Sequence, residues 1–353
     1  MHKPAIFLTG AIVTLAGCQS MGIDMSNLGS LGSLNPFSSD FGKVDVSMPS
    51  PPKYPEASRL RKVAVLDFDG SEQEDGGRFR QDVEATLANV RLNGETYFTV
   101  VERSEMERIA KMHDQELVNM RFDASTAAEF GRWLGVDGIY FGKVDGLIQE
   151  DSAYTESRSE CAAYDSDKKC ISRKEHSVNC TKRQASYSFT PKLVSVESAH
   201  IVYSNNIDGA AFDKVCEDKS RPLKAVTELS GEAKSQALNS MAQDIAPYVA
   251  TEKVAVMTKY IDDPYVSELV KAGKKFAKGN RWDRACSNWK EAIDLMPGSI
   301  SLLYNMGICA ERNGDFEQAL KYYEEADQLV PKPDKEISKR LLDVKDKIRR
   351  SEV

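Results

Sequence analysis

The chain has 353 residues, with 47 Lys and Arg against 54 Asp and Glu, and a net charge of −7. That length holds a main domain and a smaller one. The acidic balance argues against a nucleic-acid or anionic-lipid surface, because phosphate contacts need clustered Lys and Arg.

Lys3 supplies a weakly positive start, and Ala5 to Leu15 an apolar stretch too short to span a bilayer. It runs into Leu15-Ala16-Gly17-Cys18. These four residues resemble the lipobox of bacterial lipoproteins at every position. The resemblance implies that residues 1–17 are a signal peptide and that Cys18 is acylated, with palmitate or a similar chain. Gln19 follows the cysteine in place of the Asp typical of inner-membrane retention, which implies the outer membrane. More than one acyl chain on Cys18 makes the anchor stable. An ordinary signal peptide with a coincidental Cys is the alternative. Residues 18–60 are rich in Ser, Gly, Asn and Pro and read as a lipidated, flexible linker with a mean reach of about 35 Å.

The main domain, 61–255, opens with K-V-A-V-L-D-F-D-G-S, Lys62 to Ser71. Its apolar run predicts a strand. A helix follows with Phe79, Val83, Leu87 and Val90 on one face. Phe98–Val101 reads as a short strand, and Ser104-x-x-Glu107 as a capping box opening the next helix. Asp123 to Leu134 is a third helix, with Gly135 as its stop. Gly138–Val144 is a strand. Ala185–Val196 and Ile201–Asn205 pair around a turn at Glu197–His200, and Pro191 demands a bulge or an edge. Gly231–Ala246 is a long helix. Helices alternating with strands predict a layered α/β domain.

Asp67-x-Asp69-Gly70 after an apolar run looks like the nucleophile loop of a haloacid-dehalogenase-type phosphatase, and Asp262-Asp263 could pass for its metal-binding pair. No long apolar strand precedes that pair. Three other stretches carry a different resemblance: Val63-Ala-Val-Leu-Asp-Phe68, then Phe98-Thr-Val-Val-Glu-Arg-Ser104, then Ala127 to Val144 with its Leu134-Gly-Val-Asp-Gly138 core. In order and spacing they resemble the CsgG-like family over roughly residues 60–250. That family includes the curli-secretion channel and lipoprotein activators of penicillin-binding proteins. The resemblance implies a binding protein without catalytic residues, metal or cofactor. Asp67 and Asp69 then end a strand and start a turn. Glu102 and Arg103 read as a strand-end ion pair, and His113, His176 and His200 as surface residues.

The family leaves two jobs open. The channel inserts two β-hairpins per subunit into the outer membrane; the activators stay in the periplasm. The hairpins would fall in 149–183 and 206–227. A membrane strand needs apolar side chains on alternate positions, and both parities carry charge here. These segments therefore read as soluble insertions. Cys161, Cys170 and Cys180 lie in the first and Cys216 in the second. Four cysteines allow three pairings, and a bridge between the insertions would staple them into one lobe. No CxxC pair supports zinc.

Residues 256–331 contain a repeat. Leu269, Gly273, Ala285, Trp289, Ala292 and Pro297 recur 34 positions later as Leu303, Gly307, Ala319, Tyr323, Ala326 and Pro331. The small residues let paired helices approach, and Trp289 and Tyr323 fill the gap between them. This resembles two tetratricopeptide repeats. Residues 332–353 suit a capping helix, with Ile337, Leu341, Val344 and Ile348 on one face. Cys286 and Cys309 lie on helices that pack together; a bridge closes about 23 residues and contributes roughly 3 kcal/mol. Buried free thiols are the alternative. By repeat position Lys274, Lys278, Tyr304, Asn305, Ile308 and Arg312 face a peptide-binding groove. The resemblances together imply a lipid-anchored protein facing the periplasm, an envelope protein as partner, a homo-oligomer as an option, and no nucleic acid.

Overall fold

The structure, a computed structural model, describes residues 43–71, 75–92, 94–116, 122–259 and 261–351. Cys18, the signal segment and most of the expected linker lie outside these residues.

The linker expectation fails at its C-terminal end. Lys43–Ser50 (β1) is a strand, followed by the short helix Pro55–Ser58 (α1). Val44, Val46 and Met48 alternate with Asp45 and Ser47 and are buried. That period of two makes a strand of a segment whose serines and prolines suggest a tether.

The central sheet grows from Lys62–Val65 (β2). Val63 and Val65 turn to one side and Ala64 and Leu66 to the other, all buried. A parallel strand covered on both faces needs such a continuous apolar run. β2 pairs in parallel with Thr99–Val100 (β5) and with the start of Gly138–Tyr164 (β6). A small hairpin, Arg91–Leu92 (β3) and Glu95–Thr96 (β4), precedes β5. β6 turns back into the antiparallel Cys170–Ser195 (β7). Ile201–Ser204 (β8) and Ile207–Cys216 (β9) both pair with the far edge of β7. β9 covers Cys180 to Phe189 and β8 covers Lys192 to Val194. Pro191, which has no N–H to donate, falls in the gap between them.

Gly76–Ala88 (α2) and Val226–Ile245 (α5) cover one face of the sheet, with Phe79, Val83, Ala237 and Met241 in a core with Val63, Val65, Tyr140 and Phe189. Arg103–Met112 (α3) and Ala124–Leu134 (α4) cover the other, with Met106, Ala127 and Phe130 against Ala64, Leu66 and Ile139. The layered α/β arrangement is as expected. Asp123 and Thr126 form a reciprocal cap at the start of α4, and Gly135 ends it at φ 61°. The capping box expected at Ser104 does not form. Helix α3 starts at Arg103, and the Ser104 hydroxyl lies 3.4 Å from the Glu102 carboxylate.

The two insertions are not a separate lobe. They are the outer parts of β6 and β7 together with β9, a ribbon continuous with the central sheet.

After α5 the chain enters Tyr248–Ala255 (β10), which pairs antiparallel with β1, Lys43 opposite Ala255 and Ser50 opposite Tyr248. The expected boundary at 255 therefore cuts through a unit. Val44, Val46, Met48, Val254 and Val256 share a core with the C-terminal helices. Two strands alone are marginal in water; here the helices cover their apolar side. Those helices are Pro264–Lys278 (α6), Trp282–Leu295 (α7), Ile300–Arg312 (α8), Phe316–Leu329 (α9) and Lys335–Ser351 (α10). A Cβ on Gly273 would stand 2.3 Å from the Trp289 indole nitrogen, and one on Gly307 would stand 2.3 Å from the Tyr323 ring. The small and large residues of the repeat thus meet as their spacing suggests.

Candidate functional site

The edge where β2 ends holds the two aspartates that look catalytic in the sequence. Asp67 lies between two guanidiniums. Arg80 Nε donates to its Oδ1 at 3.0 Å and Arg103 Nη1 to its Oδ2 at 3.0 Å. Arg80 also pairs with Glu84, and Arg103 with Glu107 at 2.9 Å. Burial raises the Glu84 carboxyl above its ordinary value despite Arg80. Arg103 thus reaches Asp67 and Glu107, and not Glu102 as its sequence neighbour suggests. Asp69 continues the sheet through its backbone, donating to Gly142 O and accepting from Val144 N. Asp262 and Asp263 stand exposed before α6, among the C-terminal elements, where Asp263 Oδ1 accepts from Val266 N at 2.9 Å. The acids of the phosphatase reading are not brought together. They are an ion-pair centre and a helix cap.

The ribbon is the larger feature. Beyond Lys143 no described strand pairs with the outer edge of β6. Two disulfides staple it, Cys161–Cys170 near the tip and Cys180–Cys216 between β7 and β9. The second is the bridge between insertions that the cysteine positions raise. The Glu156 carboxylate lies with the Cys180 and Cys216 sulfurs, but those sulfurs are bonded to each other. Glu150, Glu156 and Arg158 face one side and Asp151 and Arg183 the other, by strand alternation. Arg183 forks onto Asp151 at 2.9 and 2.7 Å. Arg221 forks onto Asp213 at 2.7 Å, folding the segment after β9 back on it and holding the Asp213 carboxyl well below its ordinary value. Ile148 and Phe212 stand out of this polar surface, 71% and 57% exposed.

The expected groove is filled from within. Tyr304, Asn305 and Ile308 are fully buried, Lys274 and Arg312 are half-buried, and Lys278 alone of the six is exposed. The Asn305 amide is bonded to the backbone of Met257, and the Ser301 hydroxyl to Lys259 O. Trp282 Nε1 donates to Asp45 O of β1 at 3.1 Å. The three buried residues contact the chain itself and not a partner. The third disulfide, Cys286–Cys309, joins α7 to α8 as placed by the repeat.

Beside the filled groove lies a charge cluster that sequence reasoning missed. Glu311, fully buried, accepts from Lys347 Nζ at 2.8 Å, Arg340 Nη1 at 3.3 Å and the Tyr323 hydroxyl at 2.9 Å. Arg340 also donates to Glu252 of β10 at 2.9 Å. A signal was present. Ile337, Arg340, Val344 and Lys347 fall on one helical stripe, so the two cations share the buried face of α10.

No helix among the described residues is long and apolar enough to cross a membrane. Residues 271–348, from α6 through α10, match a family described as a domain of unknown function, DUF6340. No curated protein matches the chain. Similar solved structures include the LpoB C-terminal domain from Salmonella enterica, at 13% identity over 43% of this chain and 82% of that one, TM-score 0.25. Lipoprotein GNA1162 from Neisseria meningitidis is 14% identical over 52% of this chain and 98% of its own, TM-score 0.25. A PelC dodecamer from Paraburkholderia phytofirmans is 14% identical over 57% and 98%, TM-score 0.24.

Proposed function

We propose that this chain is an outer-membrane lipoprotein, anchored through Cys18 and facing the periplasm, that works by protein–protein binding. It acts as an assembly, regulatory or scaffold factor for an envelope machine, for example in cell-wall synthesis or appendage assembly. It performs no catalysis. The α/β domain is read as CsgG-like and the paired helices as tetratricopeptide repeats.

The observation that carries this reading is the stapled ribbon of β6, β7 and β9. Its disulfides suit an oxidising compartment. Its polar surface with Ile148 and Phe212 exposed suits a protein contact. With the helical groove filled by the chain itself, the ribbon is the better candidate for reaching a partner.

A channel subunit is the second reading, favoured by the 27-residue length of β6 and its open edge. Charge on both ribbon faces speaks against insertion in lipid. Metabolic palmitate labelling, cell fractionation and mass photometry of the detergent-extracted protein test the proposal. The expected result is label on the wild type and none on Cys18→Ala, in outer-membrane fractions, with the mass of a monomer or small oligomer. An unlabelled protein, or a many-membered ring around a lumen, overturns it.

A further inference from the structure

Net charge is an average, and one surface departs from it. Lys271, Lys274, Lys275 and Lys278 fall at i, i+3, i+4 and i+7 on α6 and share one stripe. Arg281 and Arg284 extend it past the end of α6, their guanidiniums 5.5 and 5.1 Å from the centre of the Phe276 ring. Lys271 pairs with Glu268 at 3.0 Å. The other five cations have no carboxylate within pairing distance among the described residues. Asp283 in the first turn of α7 is the acid nearest in sequence.

The place of this stripe is a second observation. Lys278 and Lys43 line one cleft of about 400 Å³, shared with Asp45 and Asn280. Lys43 begins β1, and the chain before it runs back to Cys18, 25 positions away. Whatever its path, a segment of about 25 residues reaches at most ~85 Å. The tether therefore joins the folded part at a point beside the basic stripe, with Cys18 within that reach.

We propose that the stripe docks on an anionic phospholipid surface, the leaflet that holds the Cys18 anchor. This rests on the anchored reading for which membrane is met, and not for the binding itself. Unpaired ammonium groups meet lipid phosphate without first breaking an internal ion pair. Each adds about fivefold in affinity near such a surface. The rest of the chain, acidic overall, is repelled by the same leaflet, so the stripe sets the orientation of the folded part.

The chain from Gln19 to Val353 has no acyl anchor and keeps every described residue. It is sedimented with phosphatidylcholine vesicles and with phosphatidylcholine–phosphatidylglycerol vesicles. Binding is expected to the mixed vesicles alone, and to vanish in high salt. Lys274→Gln, Lys275→Gln and Lys278→Gln together weaken it about a hundredfold. The exposed Lys111→Gln, Lys168→Gln and Lys332→Gln together leave it unchanged, and equal thermal midpoints check both folds. Equal binding to both vesicle types, undiminished binding by the α6 variant, or capture of an acidic protein without any vesicle binding overturns the proposal. Whether Cys18 is acylated is decided separately by palmitate labelling.

Discussion

Asn305 holds Met257 by both of its backbone groups. The Met257 N–H donates to Asn305 Oδ1 at 3.0 Å, and Asn305 Nδ2 donates to Met257 O at 2.8 Å. A buried side chain thus pairs with the segment leaving β10 as another strand would. The contact locks helix α8 to the β1–β10 ribbon and closes the space that a repeat array otherwise leaves for a partner.

Replacing Asn305 by Leu leaves the N–H and C=O of the half-buried Met257 without these partners. A loss of about 2–4 kcal/mol is expected, because an unmet buried group costs more than a made bond contributes. Urea unfolding checks this; an unchanged midpoint would mean that water replaces the amide.

Glu311→Gln leaves Arg340 and Lys347 with Glu252 as their only paired carboxylate among the described residues. Breaking a buried charge set by removing one member costs about 3–5 kcal/mol. The same denaturant titration checks it, and Glu311→Gln with Arg340→Met recovers part of the loss if the unpaired cation is its cause.

Acid should loosen this joint. Burial alone would raise the Glu252 carboxyl, but Arg340 and Lys347 outweigh it and hold it below its ordinary value of 4.5. A depressed carboxyl contributes stability that is present above its unfolded value and lost as pH falls through the folded one. Stability measured from pH 7 downward should therefore decline below about pH 4.5, and decline less in Glu252→Gln.

The two repeat glycines should reject a methyl group. Gly273→Ala and Gly307→Ala force a Cβ to 2.3 Å from Trp289 and Tyr323. Overpacking of this kind costs about 1–3 kcal/mol, against about 1 kcal/mol of helix propensity gained. Gly231 in α5 has nothing within 4 Å of an added Cβ, and Gly231→Ala should stabilise by about 1 kcal/mol. Thermal unfolding of the three variants separates packing from propensity.

Cys286→Ala with Cys309→Ala removes a loop-closing bridge of 23 residues. About 3 kcal/mol should be lost by the chain-entropy model. Cys161→Ser with Cys170→Ser opens only the outer ribbon, which carries no large core. It should raise amide exchange near the tip and leave the global midpoint in place.

Much of this protein can be read from local patterns. The period-two run at Val63–Leu66 and the caps at Asp123 and Gly135 each depend on neighbours within a turn or a strand, and the 34-residue spacing of Gly273 and Gly307 is a repeat visible in the chain itself. The pairing of Trp289 with Gly273 on the neighbouring helix follows from the repeat spacing, which sets which helices pack. The charge carried on both parities of the ribbon strands is equally local.

What only the tertiary structure decided involves partners far apart in the chain. β1 is a strand because β10, some two hundred positions later, offers it a ladder and the helices offer Val44, Val46 and Met48 a core. Arg340 and Lys347 are buried because Glu311 and Glu252 arrive from α8 and β10 to neutralise them. Asp67 is held by guanidiniums from two different helices. Local sequence determines the period of a segment and which side chains share its face. Which faces meet is settled only when long-range contacts offset the entropy of closing the loops between them, and that choice turned an expected groove into an interior.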